Sequence, residues 1–120
     1  MTARPRKPKA PRVPESAVQI AVRAALTWHG IRSAHVANGG SRNPIEARNL
    51  KAQGVLAGFP DLVVWKPGHG MACIEVKASD GTVSDAQEAM IAQLEADGVP
   101  VAVVRSVDDA LAAVKAWGWV

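Results

Sequence analysis

The sequence predicts a small mixed α/β sandwich, one sheet with helices on both faces. Three observations carry this. Helical and extended patterns alternate in the order helix, strand, short helix, strand, strand, helix, strand, helix. The strand segments carry apolar residues on both faces, which demands cover on both sides. Residues 71–104 read as strand, helix, strand, a unit whose two strands run parallel with a right-handed crossover.

Each element has a local cause. From Glu15 to His29, Val18, Val22, Ala25 and Leu26 recur at helical spacing, and Gly30 is a natural residue just past a helix end. Arg32 to Ala37 is a short strand around Ala34 and Val36, and Asn38-Gly39-Gly40-Ser41 is a loop by composition. Asn43-Pro44 is an N-cap followed by proline at the first helical position, opening a helix from Ile45 to Gln53 that stops at Gly54. Leu62–Trp65 and Met71–Lys77 are apolar strands around the turn Lys66-Pro67-Gly68-His69-Gly70. Ser84 caps a helix to about Ala96, with Gln87 in capping-box position, and Asp97-Gly98 ends it. Val99–Val104 is the last strand, and Ser106 caps a final helix through Trp117.

The 120 residues are 48% hydrophobic, enough for one domain with a core. Charged residues at 21% exclude a wholly disordered chain. No apolar run approaches the ~20 residues of a membrane span. The basic N-terminus has no apolar stretch behind it, so no secretory leader is expected. A single cysteine, Cys73, excludes a disulfide framework or an all-cysteine zinc site, and reads as a small core residue in a reducing, cytosolic compartment.

The net charge of +3 is an average of two unlike parts. Residues 1–14 hold Arg4, Arg6, Lys7, Lys9 and Arg12, no acid, and four prolines. They read as a flexible basic arm outside the fold. Residues 15–120 form the domain, where nine basic residues face eleven acidic ones. The arm suits phosphates of nucleic acid, or serves only as a solvated leader; phosphate contacts position a protein but do not specify sequence.

The hairpin carries the chemistry. Asp61 lies seven residues before Gly68 and Glu75 seven after, so a regular hairpin sets them opposite each other, Cβ atoms ~5 Å apart. Lys77, two residues on, shares Glu75's face. Two such carboxylates repel unless a cation or a proton is shared. Oxygen ligands of this kind suit Mg²⁺ or Mn²⁺. A neighbouring lysine suits a water or a phosphorane better than a metal cage. The bland alternative is that Asp61 caps a turn and Glu75–Lys77 is a surface pair.

Phe59-Pro60-Asp61-Leu62 followed by Glu75-Val76-Lys77 resembles the PD-(D/E)XK nuclease superfamily, and within it the VRR-NUC (virus-type replication–repair nuclease) domain. Glu15, Asn38-Gly39, Gly54, Gly58, Ser84-x-x-Gln87 and Val103-Val104-Arg105-Ser106 extend the resemblance over about 15–115. It implies a restriction-endonuclease-like mixed sheet flanked by helices, and a Mg²⁺- or Mn²⁺-dependent endonuclease acting on DNA. Asp61 and Glu75 would be metal ligands, with the Val76 carbonyl as a further ligand and Glu15 approaching directly or through water. Lys77 would hold the attacking water or the scissile phosphate, and Gln87 would orient Lys77 or a phosphate. Small stand-alone members look like Holliday-junction resolvases, so branched DNA, a homodimer and a bacterial or phage-infected host cytoplasm are implied. Without the resemblance, Glu15 compensates a helix dipole and Gln87 serves its cap.

Arg42, Arg48 and Lys51 line a DNA groove beside the site or form a solvated helix face. His29, His35 and His69 lack mutual ligand spacing and are assigned structural or solvent roles. Trp28, Trp117 and Trp119 are expected in the core or an interface, and the apolar ending Trp117-Gly118-Trp119-Val120 in a dimer contact. A different class remains open: a non-catalytic DNA-binding or packaging accessory protein on a nuclease scaffold.

Overall fold

Apolar spacing and caps resolve into α1 (Glu15–Trp28), β1 (Arg32–His35), α2 (Pro44–Ala52), β2 (Leu62–Lys66), β3 (Gly70–Val76), α3 (Asp85–Ala96), β4 (Val101–Val104) and α4 (Val107–Ala116). The structure, a computed structural model, describes residues 11–37 and 43–120. Arg4, Arg6, Lys7, Lys9, Arg42 and the loop Asn38-Gly39-Gly40-Ser41 lie outside the described residues.

The sheet has the order β1-β2-β3-β4. β1, β2 and β3 pair antiparallel, and β4 joins β3 in parallel, as the strand–helix–strand unit requires. Leu62, Val64, Ala72, Ile74, Val76 and Val104 project from one face. They meet Val18, Val22 and Leu26 of α1 and Ala110 and Val114 of α4. Each such fully buried side chain contributes about 1.5–3 kcal/mol. The alternate residues Cys73 and Glu75 face the other way, where α3 buries Met90 and reaches Glu75 through Gln87. Helices therefore cover both faces, as the apolar strands require.

Boundaries differ from the sequence reading where a donor is missing or already used. Val99 N–H donates to Leu94 O (2.8 Å) to close α3, and Pro100 has no N–H, so β4 starts at Val101 rather than Val99. Similar bonds spanning five residues close the other helices, from Ile31 to Leu26, Val55 to Leu50 and Trp119 to Val114, each past a glycine at positive φ.

The core-or-interface reading of the tryptophans divides. Trp28 is 88% exposed and belongs to no core, which leaves only the interface half of its reading. Trp119 takes the core half, 5% exposed inside the main core with the Trp117 ring 5.2 Å away, so the ending is not the continuous exposed apolar patch expected. The turn at Gly118 folds Trp119 back over α4, and Lys66 Nζ donates to the Trp119 carbonyl. Among the described residues no helix is long and apolar enough to cross a membrane.

Candidate active site

The hairpin register sets the first two side chains. Lys66 pairs with Gly70 and Leu62 with Ile74 across Gly68, so one further step brings Asp61 opposite Glu75. Asp61 is held at both ends. Its Oδ2 accepts from Val76 N–H (2.8 Å), and its carbonyl accepts from Val36 N–H (2.7 Å).

Glu75 is 1% exposed. Its Oε1 accepts from Gln87 Nε2 (3.1 Å) and lies 3.9 Å from Lys77 Nζ. Its Oε2 is buried without a hydrogen-bond partner. Burial pushes the Glu75 carboxyl up to about 8. Proton sharing with Asp61 and the Asp61 charge push the same way, Lys77 opposes them, and the Glu15 charge adds a smaller push. A buried carboxylate oxygen with no donor attracts a proton or a metal ion.

Gln87 joins a helix cap to this chemistry. Ser84 Oγ accepts from Gln87 N–H (3.2 Å), and Gln87 Oε1 accepts from Ser84 N–H (2.9 Å), a complete capping box. That bond decides which end of the amide is oxygen. The same Oε1 accepts from Lys77 Nζ (2.6 Å), and the amide nitrogen is left to face Glu75. The helix cap and the contact with Lys77 coexist in one side chain.

The loop entering β2 is pressed against α3. Phe59 N–H donates to Leu56 O (3.3 Å), closing a turn with Gly58 at φ +77°. A Cβ on Gly58 would stand 2.4 Å from Ala86 O and 2.8 Å from Gln87 N. Gly58→Ala is therefore expected to lower stability by about 2–4 kcal/mol, combining left-handed strain and overpacking. Thermal denaturation checks this. The same clash would displace the helical turn that carries Gln87.

These residues border a cavity of about 430 Å³ whose walls include Glu15, His35, Phe59, Asp61, Glu75 and Gln87. Lys77 reaches Glu75 and Gln87 from beside it. Val76 places its side chain in the core and its N–H on Asp61. Glu15 lies at the head of α1, exposed, on the same wall. Among the described residues no three His, Cys, Asp or Glu side chains gather as a ligand set. Arg48 and Lys51 are exposed on α2, which buries none of its residues, and neither borders the cavity. Arg12 is tied to Asp80 (2.7 Å), and Val13 exchanges hydrogen bonds with Ser79 (3.0 and 3.1 Å), so residues 12 and 13 are fastened to the loop after Lys77.

His35, expected in a structural or solvent role, lies on the cavity wall beside Asp61. Its Nδ1 lies 3.1 Å from Gln19 Nε2 and 3.1 Å from the Asp61 carbonyl, and one tautomer serves each contact. Its position at the end of β1 beside Asp61 follows from the β1–β2 register, which no local motif encodes.

Comparison with protein families matches residues 14–108 to the VRR-NUC domain. A solved structure of a VRR_NUC domain protein superposes with a TM-score of 0.59 at 22% identity, over 88% of this chain and 88% of that one. At this identity the likeness concerns the fold. No curated protein matches.

Proposed function

The chain belongs to the VRR-NUC domain family, and from that premise we propose a Mg²⁺- or Mn²⁺-dependent endonuclease that hydrolyses DNA phosphodiesters, with branched DNA such as a four-way junction as substrate. The observation that carries the reading is the buried, donor-less Oε2 of Glu75 opposite Asp61 at the wall of an open cavity. Two carboxylates fit a hard divalent cation, and Mg²⁺ is commonly held by one or two carboxylates together with water and substrate phosphates. Asp61 and Glu75 would hold it, with the Val76 carbonyl, and with Glu15 through water. The ion would supply charge that polarises the phosphate and lowers the pKa of a water.

The chain's own residues do the rest. Lys77, held by Gln87, presents a fixed cation to a phosphate oxygen or to the attacking water and stabilises charge as the bond to the leaving oxygen breaks. Gln87 keeps Lys77 from collapsing onto Glu75. Asp61, anchored through its carbonyl and Oδ2, keeps its second oxygen for the ion. A homodimer would set two such sites across a junction.

The decisive experiment offers a four-way junction, a flap and a plain duplex to the full chain with Mg²⁺ or Mn²⁺, alongside Lys77→Ala. Cleavage by wild type alone supports the reading. No cleavage of any substrate, or equal cleavage by both proteins, overturns it.

The basic arm is proposed to contact the DNA backbone. Deleting residues 1–10 removes Arg4, Arg6, Lys7 and Lys9 while keeping the Arg12–Asp80 and Val13–Ser79 links. It should weaken binding and flatten the slope of log affinity against log salt by up to about 3.6. Metal-dependent cleavage should survive. An unchanged slope in a salt titration would show that the arm takes no part in binding.

A further inference from the structure

A second cavity, about 220 Å³, adjoins the first and is lined by Val36, Ala37, Gly54, Val55, Leu56 and Phe59. Among the described residues its lining carries no charged side chain, and Val36, Ala37 and Phe59 are walls of both cavities. We propose that this apolar cleft receives one unpaired nucleobase beside the scissile phosphate, so that the cut falls where a strand is frayed, flapped or branched. The inference rests on the nuclease reading and names the substrate feature that the site selects.

The two cavities match the two chemistries of a nucleotide. The larger one offers Asp61 and Glu75, with Lys77 behind them, to a phosphate and a cation. The described side chains of the smaller are aliphatic apart from the single phenylalanine of the chain. They give a phosphate no charged partner to replace its hydration. A base fits, since every base has an apolar face that stacks on an aromatic ring. A base in an intact duplex is already stacked on both sides and must leave the helix to enter. That costs least where the strand is unpaired.

The position is fixed by backbone. Phe59 and Asp61, two residues apart, both line the larger cavity. The turn closed by Phe59 N–H on Leu56 O puts Leu56, half exposed, at the cleft. Gly58, with no Cβ, lets that turn pack directly against Ala86 of α3.

The test replaces, one at a time, the nucleotides flanking the mapped cut by abasic residues in a flap or junction. The full chain's binding is read by anisotropy in EDTA and its kcat/KM in Mg²⁺ or Mn²⁺. Removal of the base at one flanking position should cost about 5- to 100-fold. A double substitution, Val55→Ser with Leu56→Ser, should lose affinity for the intact strand, and base removal should then cost it less than about threefold, because both changes delete one contact. If wild type binds and cuts every abasic strand as well as the intact one, or cuts a fully paired duplex as fast as a frayed one, the subsite is overturned and the nuclease reading stands. If wild type cuts nothing, the nuclease reading falls and the subsite with it. The wild-type abasic series decides the matter even if the double variant does not fold.

Discussion

Glu75→Gln is expected to stabilise the metal-free chain at pH 8–9 while reducing DNA cleavage by on the order of 10³-fold. The carboxyl of Glu75 is raised to about 8 by burial, by proton sharing with Asp61 and by the Asp61 charge. In the unfolded chain it titrates near its ordinary 4.5. Between those values the folded chain holds a proton that the unfolded chain has released. Stability therefore falls as pH rises from about 4.5 to about 8, and below that window this group carries no penalty. The loss at the top of the window is a few kcal/mol. Glutamine keeps the shape and can still accept from Gln87, but carries no charge to bury. In EDTA, the wild-type melting temperature should fall away from that of the variant as pH rises, by about 10 °C at pH 9. Comparing the two proteins cancels every titration they share. A difference that stays constant with pH would mean that Glu75 is not the buried acid described. Divalent ions should close the gap by replacing the proton, and more so at higher pH.

Lys77→Ala is expected to lower kcat by on the order of 10²–10³-fold with little change in KM, the pattern of a lost interaction made in the transition state. Lys77→Arg should not restore it. The ammonium sits 2.6 Å from one amide oxygen and 3.9 Å from one carboxylate oxygen, a point-charge setting that a planar guanidinium fork does not match. Lys77 also lowers the pKa of Glu75. Its removal should raise that pKa further, so the acid limb of any residual activity should move to higher pH. Single-turnover rates across a pH series check both points. A rate within threefold of wild type, or an acid limb that stays in place, would remove Lys77 from the chemistry.

The hairpin half of the site was legible because antiparallel pairing is arithmetic. Once Gly68 is placed at the tip, the partners of Leu62 and Asp61 follow, and Lys77 follows by alternation. Gln87 was legible through its cap, which is a local pattern. The other half depends on long-range packing. Glu15 reaches the cavity wall only because α1 lies across the sheet, and His35 and Phe59 only because β1 and the 54–60 loop converge beside Asp61. Trp119 shows why core and interface could not be told apart from composition, since one glycine turn decides for the core. Trp28 sits on α1 two residues past the last buried position, Leu26, where helical rotation carries it to the solvent side.

The amide of Gln87 also bears on which sequences this fold tolerates. A glutamate would complete the helix cap as well as glutamine does. It could not donate to Glu75, and it would add a further negative charge where the Glu75 carboxyl is already held protonated near neutrality. Helix formation alone would let position 87 drift between the two residues. The neighbouring acid forbids that drift, so a swap usually counted as conservative becomes a marker separating chains that keep the chemistry from chains that keep only the fold.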